Sequence, residues 1–231
     1  MIFFLQTLWK TNPRLRLLAL LAASMAFSVL MSAFRIWHSQ TLTYAFLVWN
    51  LFLAAIPYGI STVLVEIEGV RKRQLLFWIG IGLWLLFLPN APYIFTDLFH
   101  LRPRNDVPLW FDLLLLLSFA WNGIILGYLS LFDMQELVAP KLGKRFTWFS
   151  VFGILFLCAF GVYLGRYLRW NSWDLFFNPM PLLTDIVDRF LHPFTHLQTW
   201  GLTLGYGTFL VFGYLTLRVL IRQQPNSKFE M

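Results

Sequence analysis

The sequence predicts an all-α, polytopic membrane protein. It has about six transmembrane helices, both termini on the inner side (N-in/C-in), and short interfacial helices in the two larger outer loops. Three observations carry this. Of 231 residues, 58% are hydrophobic and only 13% charged, whereas a soluble domain carries roughly twice that charged share. Apolar windows close to the ~20 residues that cross a bilayer recur along the chain. The basic residues, finally, sort to one side.

The spans are expected at about 15–34, 42–64, 74–89, 110–132, 146–165 and 198–220. They form one integral membrane domain over 1–231, with outer loops at 90–109 and 166–197. Lys10, Arg14 and Arg16 precede the first span as in a secretory signal. No small-x-small cleavage site follows, so the segment reads as a retained anchor. Residues 1–9 (MIFFLQTLW) read as an interfacial segment with Trp9 at headgroup level. Spans two and four carry Asn50 and Asn122, for which interhelical hydrogen bonds are expected. Spans four, five and six carry the pairs Gly123/Gly127, Gly161/Gly165 and Gly201/Gly205, predicting a tight C-terminal three-helix unit. Residues 49–61 (WNLFLAAIPYGIS) resemble 84–96 (WLLFLPNAPYIFT), a pattern that an inverted repeat would leave. Cys158 is the lone cysteine, which excludes an intramolecular disulfide and a thiolate metal site.

Orientation follows from Lys and Arg in the short flanking loops. With the N-terminus inside, twelve basic residues fall on the inner side and six on the outer. Glu66, Glu68, Asp133, Glu136 and Glu230 are also inner, so that face carries the whole net charge of +7. The outer face balances six Arg against six Asp. The basic character therefore suits an anionic inner leaflet, and no nucleic-acid partner is expected. All four histidines are outer. No charged residue lies in the middle of a span, which counts against an ion-coupled transporter.

The third span runs from Arg71-Lys72-Arg73 into FLPNAPYIFTDLFHL. From Gln74 to Pro89 a helix covers about 24 Å at ~1.5 Å per residue, short of the ~30 Å core. Pro89 and Pro92 break it inside the outer membrane quarter, where freed carbonyls need partners. A short helix from Asn90 to about Leu101 is expected beyond the break, with Thr96, Asp97 and His100 on one face. Asp106 or Val107 then caps span four, placing Asp112 near its positive end.

The second outer loop opens with GRYLRWNSWD, in which Arg166 and Arg169 share a face and Asn171, Ser172 and Asp174 follow. PLLTDIVDRFLH then places Leu182, Leu183, Ile186, Val187, Phe190 and Leu191 on one stripe. Asp185, Asp188 and Arg189 lie opposite, as in an interfacial amphipathic helix with an Asp185–Arg189 pair.

LPNAPYIFTDLFHL, PLWFDLLLLLSFAWNGIILGYLSL and GRYLRWNSWD together resemble a bacterial family of multi-pass membrane proteins, domain of unknown function 1361. The resemblance covers most of residues 40–220. It implies a bacterial plasma (inner) membrane location and carries no activity or cofactor.

The candidate chemistry is an outward polar cluster. Asp97 and His100 would form a catalytic acid–base pair. Arg166, Arg169, Asn171, Asp174, Asn90 and Asp112 would bind substrate, the guanidiniums taking an anionic lipid or lipid-linked group. The competing reading is an ion-pair clamp between the outer loops. No metal site is assigned: His192 and His196 are four apart, but Pro193 lies between them and no HExxH pattern exists. An accessory or structural membrane protein with a membrane partner protein is the favoured function. The alternatives are a membrane-embedded enzyme on a lipid-linked or periplasmic anionic substrate, and a carrier or channel for a small solute.

Overall fold

The structure, a computed structural model, describes residues 13–104 and 106–222. The interfacial reading of residues 1–9 and the tail 223–231 lie outside these residues. The elements run α1 (Pro13–Ser39), α2 (Phe46–Glu66), α3 (Glu68–Lys72), α4 (Gln74–Phe87) and α5 (Asn90–Tyr93). A 3-10 helix (Ile94–His100) follows, then α6 (Leu109–Leu142), α7 (Lys144–Tyr167), α8 (Asp174–Phe177), α9 (Pro179–Leu191) and α10 (Leu197–Arg222). Six helical stretches are long and apolar enough to cross a membrane, in the order expected. There is no strand among the described residues.

Helix α6 is the centre of the bundle. It packs most extensively on α2 and also touches α1, α5, the 3-10 helix and α7, while α10 packs chiefly on α7. One apolar core joins α2, the break and α6 through Leu47, Leu51, Ala54, Ala91, Ile94 and Phe119. A second lies toward the other end, around Leu64, Trp84, Leu131, Leu155 and Tyr214. Large apolar side chains also cover the outside, including Leu20, Trp78, Leu75 and Phe149. A water-soluble monomer does not tolerate such a surface, and a bilayer requires it. Arg14 of α1 and Arg218 of α10 line one crevice with Asp133 and Gln135 of α6. The two ends of the described chain therefore meet on the same face, as an even number of spans demands.

Several boundaries differ from those the sequence predicts. The first span continues past residue 34, because α1 runs to Ser39 and carries Arg35 inside the helix, fully buried. Span four does not stop near 132 and give way to a loop. Instead the helix runs on through DMQELVAPKL to Leu142, and Gly143 alone separates it from α7, at φ 76°. Met134 and Gln135 are buried in this extension, so tertiary packing carries the helix past its apolar run. Pro140 is tolerated within two residues of the helix end, and the positive φ of Gly143 costs a glycine little.

The two halves of the sequence repeat also diverge. Pro57 sits inside an unbroken α2, whereas Pro89 and Pro92 end α4 at Phe87. A single proline removes one hydrogen bond; two spaced three apart interrupt the ladder twice and leave a single turn, closed by the Tyr93 N–H on the Pro89 carbonyl at 3.1 Å. At ~1.5 Å per residue the 14 residues of α4 reach only about 21 Å, and the stretch long enough to cross a membrane runs on through the break to His100.

The glycine pairs do something other than build a three-helix unit. A Cβ on Gly123 would stand 2.5 Å from the Ala91 carbonyl oxygen, and one on Gly161 would stand 2.9 Å from the Pro89 ring. Gly127 and Gly165 likewise face Ala91 and Tyr93. These two pairs thus grip the broken segment from α6 and α7. Gly201 and Gly205 face open space.

Candidate functional site

The proline break exposes backbone, and neighbouring side chains satisfy it. Pro92 has no N–H for the Leu88 carbonyl, which takes the Ala91 N–H instead at 3.1 Å. The Phe87 carbonyl, left without that donor, accepts from Asn90 Nδ2 at 2.9 Å. Ser172 Oγ donates to the Leu86 carbonyl at 3.0 Å, and Tyr206 Oη to the Pro92 carbonyl at 2.7 Å. Asn90 Nδ2 also reaches Ser172 Oγ, 2.9 Å. The second outer loop therefore completes the break in the first, supplying donors to carbonyls that the prolines leave without a helical partner.

Beyond the break the chain tightens from α-helix to 3-10 geometry. Side chains three apart eclipse in such a helix, so Tyr93 and Thr96 fall in one row and Asp97 and His100 in the next. The Arg166 guanidinium, from the last turn of α7, lies across both rows. It is ion-paired with Asp97 Oδ1, donates through Nε to Thr96 Oγ1 at 2.9 Å, and has Nη1 3.4 Å from His100 Nε2. Its Cζ is 4.5 Å from the Tyr93 ring centroid, a cation–π contact. The other Asp97 oxygen accepts from Asn50 Nδ2 of α2 at 2.8 Å. Asp97 is 1% exposed, and both its oxygens are occupied.

Asp112 belongs to a second ion pair. Arg35 donates to it in fork fashion, Nε to Oδ1 at 2.8 Å and Nη2 to Oδ2 at 3.2 Å, and both side chains are buried. The remaining Arg35 nitrogen reaches Ser39 Oγ and Thr41 Oγ1 at 3.2 and 3.1 Å. Tyr44 joins the two clusters. Arg35 lies 5.1 Å from its ring centroid, and its hydroxyl donates to the His100 carbonyl at 3.0 Å. It does so from a left-handed backbone, φ 67°. That conformation is costly for a bulky residue, and these contacts offset it.

The other expected site residues lie elsewhere. Asp174 accepts from the Asn171 backbone N–H at 2.7 Å and its Nδ2 at 3.3 Å, closing the turn before α8. Arg169 is exposed, in left-handed conformation at φ 62°, and makes no hydrogen bond or ion pair among the described residues. Its backbone terminates α7, with the Trp170 N–H reaching back to the Leu164 carbonyl at 3.1 Å. His192 and His196 both bond Asp188, at 2.9 and 2.7 Å. These bonds, that of His192 first, hold the Asp188 carboxyl below the usual carboxylate range. No group of three or more metal-ligating side chains occurs among the described residues. In α9 the expected pair Asp185–Arg189 forms, at 3.1 Å. Of the predicted apolar stripe, however, only Leu182 is fully buried. Arg189 is buried too, against Tyr163 at 6.0 Å, and Leu183, Val187 and Leu191 stay exposed.

Beside the clasp lies a cavity of about 420 Å³. Its walls come from α2, the end of α4, the break, α7, the turn at 170–175 and α9. Asn50 and Asn90 line it, whereas Asp97, His100 and Arg166 do not.

Residues 49–212 match the model of a family described as Protein of unknown function (DUF1361). The chain belongs to this family. No curated protein and no solved structure matches it. In this DUF1361 protein the matched stretch contains Asn50, the break, Asp97, His100, Arg166 and all of α9, so the clasp and the cavity walls lie inside it. Arg35 lies before it.

Sequence reasoning overlooked Tyr93, Tyr44 and the Arg35–Asp112 pairing, and it expected an interhelical hydrogen bond from Asn50 without placing that bond on Asp97. A lone Asn in an apolar span was the available signal for Asn50. Arg35 and Asp112, opposite charges at two outer span ends, were the signal for the pair.

Proposed function

We propose that this chain is an accessory membrane protein of the bacterial plasma membrane, working with a membrane partner protein, and that its outer polar cluster is a structural clasp. The state of Asp97 carries the reading. Its carboxylate is buried, both oxygens are bonded within the bundle, and it does not line the cavity. A general base needs a lone pair within hydrogen-bond reach of a substrate proton, and Asp97, 1% exposed and away from the cavity wall, presents none to a substrate. The cluster suits a mechanical role, because it ties the broken third span to α2 and α7 and so keeps the outer loops in one arrangement. One observation favours a second reading, an enzyme acting on an anionic lipid-linked or periplasmic substrate: His100 is exposed beside the Arg166 guanidinium.

The test replaces the pair by apolar residues of similar size, Asp97→Leu with Arg166→Met, and separately makes His100→Ala. Under the clasp reading the paired variant accumulates in the membrane, complements a gene deletion and retains a co-purifying membrane partner. A stable paired variant that fails to complement, or loss of function in a stable His100→Ala protein, would establish the enzymatic reading instead.

A further inference from the structure

The cavity beside the clasp has a defined chemical polarity. Asn50 Nδ2 donates to a carboxylate and Asn90 Nδ2 to a backbone carbonyl. Both partners can only accept, so neither amide can be flipped, and each must direct its NH2 group into the protein. The two carboxamide oxygens have no donor among the described residues, and neither is a sealed atom. The polar end of the cavity therefore presents acceptors in want of a donor. The rest of the wall is apolar apart from Asn171, Ser172, Tyr93 and Trp170, whose indole N–H is already given to Asp185, and no charged side chain lines it. A charged group entering there would be desolvated without compensation.

Trp49, Leu157, Leu175 and Phe190 line the cavity and are 40–59% exposed, an apolar rim that suits entry from lipid rather than from water. At about 420 Å³ the space falls at the small end of ligand pockets, about 300–1,000 Å³. With a methylene taken as close to the ~30 Å³ share of a liquid water, it accommodates roughly fourteen carbons of one chain, the end of a longer chain emerging at the mouth, and not a two-chain lipid.

We infer that this cavity binds one uncharged, single-chain lipid alcohol drawn from the bilayer, its hydroxyl donating to the carboxamide oxygens of Asn50 and Asn90. The inference goes beyond the clasp reading, and its test does not depend on Asp97 or Arg166.

The full chain is reconstituted in phosphatidylcholine nanodiscs, whose headgroups carry no hydrogen-bond donor. It is photolabelled with a diazirine-bearing hexadecanol, and the labelled peptides are mapped. Saturable labelling is expected on the segments carrying Leu157 and Phe190. Unlabelled hexadecanol should compete about two- to tenfold better than its methyl ether, the net value of one hydrogen bond. Leu157→Trp, and independently Leu175→Trp, should cut labelling at least tenfold with the melting temperature unchanged. Equal competition by the ether overturns the inference and leaves an apolar groove filled by any chain. So does stronger competition by hexadecanoate or by phosphatidylethanolamine, or labelling that does not saturate, or labelling that survives in both tryptophan variants.

Discussion

Replacing Arg166 with alanine probes the clasp most directly. Asp97 is 1% exposed, and among the described residues Arg166 is its one cationic ion-pair partner. Removing one member of a buried pair leaves an uncompensated charge and costs about 3–5 kcal/mol. The Asn50 bond survives and holds the loss toward the lower figure, whereas the lost cation–π contact with Tyr93 adds about 0.5–2 kcal/mol. The expected destabilisation is therefore about 4 kcal/mol, or roughly 8–16 °C in Tm at ~2–4 °C per kcal/mol for a chain of this size. Asp97→Leu alone is expected to be comparably unstable, because it buries an unpaired guanidinium. The double variant Asp97→Leu/Arg166→Met should recover most of the loss, since apolar replacements of a buried pair are often neutral. The coupling energy between the two sites should reach about 2–3 kcal/mol. The assay is reversible unfolding in detergent, followed by tryptophan fluorescence and by thermal scanning. A loss below about 1 kcal/mol for Arg166→Ala, or a double variant no better than the singles, would refute the clasp.

Further outcomes follow from the same structure. Arg35→Met should cost about 3–5 kcal/mol, because Asp112 is left buried without its fork; the same unfolding assay reads it. Gly123→Ala should destabilise by about 1–3 kcal/mol, since its Cβ meets the Ala91 carbonyl oxygen, which cannot move aside cheaply. Gly201→Ala, facing open space, should be neutral or slightly stabilising by helix propensity, and equal losses at the two glycines would contradict the packing described. The bonds from His192 and His196 hold the folded carboxyl of Asp188 below its unfolded value of about 3.9. Its contribution is therefore complete above pH ~4 and is lost as pH falls toward the lowered value. Asp188→Asn should flatten the acid limb of a Tm-against-pH curve below pH ~4, and an unchanged slope there would exclude this role.

Composition and periodicity were enough to specify the six spans, their order and the break at Pro89–Pro92. These follow from properties each segment carries alone: apolar length against bilayer thickness, and the missing proline N–H. The amphipathic helix at Pro179–Leu191 and its Asp185–Arg189 pair were legible for the same local reason. What the tertiary structure decided is partnership. Asp97 lies nearly seventy residues from Arg166, and Asp112 more than seventy from Arg35. No local pattern distinguishes those pairings from Asp97 with Arg169, or Asp112 with Arg104. Packing also carried α6 past its apolar run, turned two glycine pairs toward the broken segment, and left four of the six residues in the apolar stripe of α9 exposed. Each depends on what another element places opposite, because desolvation and close contact are properties of pairs of surfaces. The sequence thus determined which polar groups stand at the outer end of the bundle, and the fold determined which of them neutralise one another and which, Asn50 and Asn90, line an open cavity.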